Sequence, residues 1–226
     1  MSQINEPSWE AHWRNAVRQE DDLVRFVQQV GFSTINQLPR WPAFPSQEIA
    51  MGIPDVLGVT WFWKDDLHTA RRLYYTRLFA GRPGFISLEM LPIFIATNGE
   101  VADELIHYGL LPATTREILH GIEEHGPIST RKLKALLTPE ARRASTTTLI
   151  DLEQRFIICK TGITGREMGT YGYLWDLAER WMPDAFTAAD RLKRKDARAT
   201  VLDRLRAVGV DPQPAFLTRV LRWSEE

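Results

Sequence analysis

Hydrophobic residues along this 226-residue chain recur mostly at helical spacing, with short continuous apolar runs between the helical stretches. Over 8–30, Trp9, Trp13, Ala16, Val17, Val24 and Val27 fall on a helical repeat that stops at Gly31, which predicts one helix or two. Four prolines lie within 33–55, so that stretch reads mostly as loop. The aromatic run "TWFWKDDL" (60–67) reads as a short strand or turn, with Asp65 or Asp66 capping a helix to about Ala80. "GRPG" (81–84) is a turn. Ser87 then caps a helix that Pro92 bends or delays, and a further helix runs from about Glu100 to Tyr108.

The best-defined pattern begins at Pro112. Thr114 or Thr115 caps a helix that buries Ile118, Leu119 and Ile122, and Gly126 ends it. "PIS" (127–129) allows one short strand before Ser129 caps a second helix with Leu133, Leu136 and Leu137 inward. Pro139 suits the first turn of a third helix reaching about Arg155. A hairpin follows, with strands 156–161 and 170–175 around the glycine-rich loop "GITGREMG" (162–169). Helix, short strand, helix, helix, strand, wing, strand is the order of a winged helix. Beyond it, Thr187 with Asp190 resembles a capping box opening a helix to about Val208, and Pro212 opens a last helix with Leu217, Val220, Leu221 and Trp223.

"GFISLEML" (84–91) and "GPISTRKL" (126–133) share Gly, Ile, Ser and Leu in one register, which points to a second helix-turn-helix-like unit. The expected fold is mainly α, of the α+β class, built from tandem winged-helix or helix-turn-helix units with small β-hairpin wings. The expected segments are an N-terminal helical and loop segment (1–60), a first winged-helix-like unit (61–111), a winged-helix domain (112–176) and a C-terminal helical segment (177–226).

Net charge is −1, which says little until its distribution is read. Between Pro127 and Arg166 eight Lys/Arg face three carboxylates, and between Arg191 and Arg206 seven face two, a local +5 in each run. The first sixty residues lean acidic. Basic surface therefore gathers in the second half, overlapping the winged-helix pattern, and double-stranded DNA is the expected partner. On a wheel of the third helix, Ala141, Ser145, Leu149, Leu152 and Phe156 share one face, while Arg143, Ala144, Thr147, Asp151 and Gln154 share the other. Arg143 can address guanine, Gln154 adenine and the Thr147 methyl thymine. Arg131, Lys132 and Lys134 on the second helix, with Lys160 and Arg166 near the wing, suit phosphates. A winged helix used for protein contacts would carry the same elements.

Other chemistry is thinner. The single cysteine, Cys159, excludes an internal disulfide, a zinc knuckle and an iron–sulfur cluster. "HGIEEH" (120–125) sets its histidines five apart on different helix faces, so no metal is expected, nor any cofactor. In "WFWKDD" (61–66), Trp61 and Trp63 could stack a base beside a lysine and two carboxylates; the alternative is that the aromatics are core and Asp66 a cap. The start "MSQINEPSWE" lacks the features of a signal peptide, and "FISLEMLPIFIA" (85–96) is too short for a membrane span and carries Glu89 and Pro92. A cytoplasmic protein without membrane association is expected.

The winged-helix pattern followed by "YGYLWDLAERWMP" (171–183), with "VGFSTINQL" (30–38), resembles the AlkZ/YcaQ family of bacterial DNA glycosylases, and especially its shorter relatives. The resemblance implies tandem winged helices around a DNA channel and excision of alkylated or crosslinked bases. It places the family's catalytic Gln-x-Asp or Gln-x-Gln motif in the segment matched by "VGFSTINQL", where Thr34 and Asn36 stand, with Gln37 one residue out of register. Neither Thr34 nor Asn36 supplies a carboxylate. Binding to DNA without excision is therefore expected. Two alternatives stand beside it: an active glycosylase for alkylated bases using Asp65 or Asp66, and a winged-helix transcriptional regulator.

Overall fold

The computed structural model describes residues 9–54 and 56–223; the start read for a signal peptide, Met1 to Ser8, lies outside them, as do Asp55 and 224–226. The chain forms two compact units, one from the residues up to 97 together with those from 189 onward, the other from 98–188. The structure is mainly helical with small antiparallel sheets.

The first unit opens with α1 (Glu10–Trp13) and α2 (Glu20–Val30), so the predicted helix comes in two pieces. Asp22 anchors the start of α2 by accepting the Arg18 and Gln19 N–H groups at 3.0 and 3.2 Å. Those bonds, the first of them foremost, and nearby Arg25 hold its carboxyl below the usual range against the opposing effect of burial. Gly31, at φ 93°, ends α2 in a conformation costly for any residue with a Cβ. β1 (Phe32–Thr34) follows directly.

The stretch read as loop contains this strand and also α3 (Gln47–Met51), capped by Ser46, whose Oγ accepts the Ile49 N–H at 3.4 Å. The reading of 60–80 needs more correction. Helices α4 (Val56–Thr60) and α5 (Trp63–Thr69) flank the aromatic run, and the chain then leaves the helix through Arg71 at φ 52°. "YYT" becomes β2 (Tyr74–Thr76), and a 3-10 turn (Phe79–Gly81) leads to β3 (Gly84–Ile86). Aromatic and β-branched residues favour a strand once a partner edge exists, and β3 supplies that edge on both sides in the antiparallel order β1-β3-β2. Gly84 is required there, since a Cβ would stand 2.3 Å from the Ser33 carbonyl oxygen. Asp65 and Asp66 lie in the first turn of α5, whose N-cap position is Phe62. Ser87 meets the start of α6 (Leu91–Asn98) as expected, its Oγ accepting the Met90 N–H at 3.3 Å.

The second unit contains α7 (Ala102–His107), α8 (Ala113–His125), β4 (Ile128–Ser129), α9 (Thr130–Leu136), α10 (Pro139–Gln154), β5 (Ile158–Ile163), β6 (Tyr173–Leu177), α11 (Ala178–Trp181) and α12 (Pro183–Ala189). Its sheet has the order β4-β6-β5, all antiparallel, with a bulge between Lys160 and Gly162. Ile118, Leu119, Ile122, Leu133, Leu149, Leu152, Ile158 and Trp175 form its core. Differences from the predicted boundaries are local. Pro112, not Thr114 or Thr115, holds the N-cap position of α8. Leu136 is 56% exposed, because α9 ends there and extended Leu137 takes the inward place. The hairpin strands start two to three residues late, since Phe156 turns left-handed (φ 57°) and seats its ring in the core before β5 begins.

The chain then returns to the first unit with α13 (Arg194–Ala207) and α14 (Pro214–Val220). Thr187 lies inside α12, so Lys193 takes the N-cap position of α13, and Pro214 in place of Pro212 opens α14. Phe216 packs on Phe44 and Trp41, extending the cluster of Phe32, Phe44, Phe79 and Phe94 whose neighbouring centroids lie 5.2 to 5.7 Å apart.

Candidate nucleic-acid interface

Helix α9 starts where Ser129 Oγ accepts the Lys132 N–H at 3.2 Å, placing exposed Arg131 and Lys132 in its first turn above fully buried Leu133. Lys134 is half-buried. Thr138 and Pro139 set the start of α10: Thr138 Oγ1 accepts the Ala141 N–H at 3.4 Å, while its own N–H and hydroxyl donate to the Glu117 carboxylate at 2.6 and 2.8 Å. That clasp ties α10 to α8. Arg142 closes the α9–α10 corner by donating to the Lys134 and Leu137 carbonyls at 2.9 and 3.2 Å.

The wheel of α10 holds for its inward face, where Ala141, Ser145, Leu149 and Leu152 are buried. Outward, Arg143 and Thr147 are exposed and Ala144 and Asp151 half-buried. Gln154 departs from that face, at 6% exposure in the last turn. Arg143 reaches Glu140 at 3.1 Å, an exposed pair worth little and easily exchanged for another anion. Asp151 sits 2.8 Å from Arg155, which also meets Glu100 at 2.9 Å.

On the hairpin, Arg166 is exposed and Lys160 is not. Lys160 lies in the core against Glu153, its ammonium near the Tyr173 and Trp175 rings. The loop itself is bound tightly: the Thr164 N–H donates to Gly172 O at 2.8 Å, Thr170 donates twice to Glu167 O, and Gly169 takes φ 80°. Among the outward groups of α9, α10 and the loop, Arg131, Lys132, Arg143, Thr147 and Arg166 are donors that suit an anionic partner, and the carboxylates Glu140 and Glu167 are exposed beside them. A second cationic stretch, Arg191, Lys193, Arg194 and Lys195, is exposed at the start of α13 in the first unit.

The residues expected to touch chemistry lie in the first unit. Thr34 is fully buried in β1, with its N–H on Pro45 O at 3.0 Å and its hydroxyl 3.5 Å from the same oxygen. Asn36 is half-buried. Trp63 is half-buried at the start of α5, while Trp61, in the turn before it, is 41% exposed. Beneath Trp61 lies a feature that the hydropathy pattern does not reveal. Lys64 and Asp65 are both buried and paired at 2.7 Å, with the Lys64 ammonium 4.3 Å from the Trp61 ring centroid. Burial pushes the Lys64 amine below its usual range, while the hydrogen bond it donates to Asp65 and the charges of Asp65 and Asp66 oppose that shift. Asp66 is half-buried. His68, outside every sequence motif, is buried, and its Nδ1 accepts the Tyr75 N–H at 3.0 Å, leaving the ring proton on Nε2. A lysine beside two carboxylates on a helix ordinarily signals surface, so only the tertiary packing exposes this pair as interior.

His120 and His125 both flank exposed Glu124, at 3.5 and 3.7 Å. Among the described residues no helix is long and apolar enough to cross a membrane.

Comparison with known proteins gives no significant match to a curated protein or to a solved structure. A family model described as AlkZ related does match, over residues 17–222, and so spans both compact units and every candidate residue named above. The chain belongs to the AlkZ-related family.

Proposed function

We propose that the chain is a double-stranded-DNA-binding protein whose segment 112–176 acts as a winged helix, with α10 as the reading helix and the 164–172 loop as the wing. The observation that supports this best is the sorting of side chains on α9 and α10. Leu133, Ala141, Leu149 and Leu152 point into the core, and Arg131, Lys132, Arg143 and Thr147 point to solvent, with Arg166 on the loop. In this reading Arg143 and Thr147 address bases, and Arg131, Lys132, Lys134 and Arg166 neutralise phosphates. Lys160 and Gln154, being interior, support the helix and hairpin from behind. Arg155 neutralises Asp151, which would otherwise repel phosphate. Membership of the AlkZ-related family supports a DNA partner.

The protein binds without excising bases. The positions that the family resemblance assigns to catalysis hold Thr34 and Asn36, neutral groups, and Thr34 is sealed in a strand. An excised base leaves positive charge on the sugar, and one electrostatic group that stabilises such a transition state is commonly worth ~10²–10³ in rate. A second reading, excision through Asp65 or Asp66, has one observation in its favour, a buried carboxylate at Asp65. Single-turnover incubation with methylated duplex, followed by alkaline cleavage of abasic sites, separates the two. Strand breaks at the no-protein level are expected. Release well above it, lost in Asp65→Asn or Asp66→Asn, overturns the first reading. Fluorescence anisotropy of a labelled duplex across a salt series tests the binding itself, which is expected to weaken steeply with salt.

A further inference from the structure

A groove of about 740 Å³ opens between α9 and the β5–β6 hairpin, wholly within the second unit. That volume lies in the range of small-molecule sites. Lys132, Ala135 and Leu136 stand at helical spacing on one side of α9, and Ile163 and Leu174 line the hairpin side. Leu136 is 56% exposed there, an apolar side chain turned to water. The charged lining has one sign. Lys132 and His125 line the groove, whereas among the described residues no carboxylate does; Glu124, 3.7 Å from His125, stands outside it. Among the described residues Lys132 also forms no ion pair. The two hydroxyls are engaged, since Ser129 Oγ accepts the Lys132 N–H at 3.2 Å and Thr164 Oγ1 donates to Gly172 O at 3.4 Å. One ammonium with few other donors suits a monoanion better than a phosphate, which calls for several donors. No Phe, Tyr or Trp among the described residues lines the groove to stack a nucleobase, so its walls fit an aliphatic body.

We propose that this groove binds a small aliphatic carboxylate, with the carboxylate on the Lys132 ammonium and the chain along Ala135, Leu136, Ile163 and Leu174, and that occupancy withdraws Lys132 from DNA. The site rests on the lining of the groove. The coupling to DNA rests on the reading above, in which Lys132 neutralises a phosphate. A ligand that pairs with Lys132 and a phosphate that needs the same ammonium oppose each other. By linkage, each then weakens the other's binding by the same factor.

The probe is decanoate, with decanol as its uncharged counterpart and decyltrimethylammonium as its cationic one. Calorimetric titration of the full-length protein should show decanoate binding, with both counterparts weaker by about tenfold or more. Methyl signals of Leu136, Ile163 and Leu174 should move during the titration, which places the ligand without any substitution. Lys132→Gln and Leu136→Gln change exposed side chains, and each should weaken decanoate about tenfold. In parallel, anisotropy of a labelled duplex should show decanoate weakening DNA binding by the unaltered protein and much less by Leu136→Gln. Absence of decanoate binding, equal binding of decanol, or shifts confined to other residues overturns the site. Decanoate held in the groove with duplex affinity unchanged overturns the coupling. Decanoate binding in a protein that binds no duplex overturns the DNA-binding reading and the coupling together, and supports the site.

Discussion

The Lys160 ammonium meets the Glu153 carboxylate inside the core of the 98–188 unit, with the Tyr173 and Trp175 ring centroids 4.9 and 5.0 Å away. Glu153 belongs to the last turn of α10 and Lys160 to β5, so the pair locks the helix to the hairpin that follows it. Its side chains are 1% and 5% exposed, which makes each ion dependent on the other. Lys160→Met should therefore destabilise the fold by about 3–5 kcal/mol, because it strands a buried carboxylate. Adding Glu153→Leu should recover most of that loss. Urea unfolding of the two variants measures both effects, and a double variant no more stable than the single one would refute the pairing argument.

Arg143 on α10 and Lys132 on α9 should separate by effect. Arg143→Ala is expected to weaken duplex binding by about 1–3 kcal/mol and to relax sequence preference, as for a group on a base edge. Lys132→Ala should weaken all duplexes alike and reduce the salt slope by about 1. Anisotropy titrations on several duplexes at graded salt distinguish them. Unchanged affinity in a folded Arg143→Ala protein removes α10 from the reading role.

Asp22 offers a pH test of the first unit. Its carboxyl is held low chiefly by the Arg18 N–H, then by Gln19 and Arg25, so the folded state binds its proton more weakly than the unfolded chain does. The stability it contributes is present above the ordinary carboxylate pKa and is lost as pH falls through the lowered one. Asp22→Asn should thus lower the melting temperature at neutral pH, and the gap to the unaltered protein should close under acid. A gap that stays constant from pH 7 to pH 2 would show that the effect is not ionic.

Phe216 tests whether the C-terminal helices complete the first unit. Its ring lies 5.9 Å from Phe44 and 5.7 Å from Trp41, residues more than 170 positions earlier, and it is fully buried. Phe216→Ala should cost about 3–5 kcal/mol by equilibrium unfolding. A loss in the range of surface substitutions, within about 0.5 kcal/mol, would mean that α14 does not belong to that core.

The elements legible in the sequence are those whose causes are local. The helix over 139–154 follows from Thr138, Pro139 and an apolar repeat within a few turns, and Ser129 and Gly31 act at adjacent backbone groups. The inward face of α10 and the order of elements from α8 to β6 could be read for the same reason, and so could the family resemblance carried by 30–38 and 171–183. What only the tertiary structure decided depends on distant partners. "YYT" at 74–76 became a strand because β3 offered an edge, and the helix expected there did not form. Lys160 looked like a wing cation until Glu153, Tyr173 and Trp175 enclosed it, and the sequence placed Lys64 only as a neighbour of Trp61 and Trp63, whereas the fold buries it against Asp65. Hydropathy assigns lysine to water, whereas burial is settled by what the rest of the chain packs over it, and no repeat along the sequence records that.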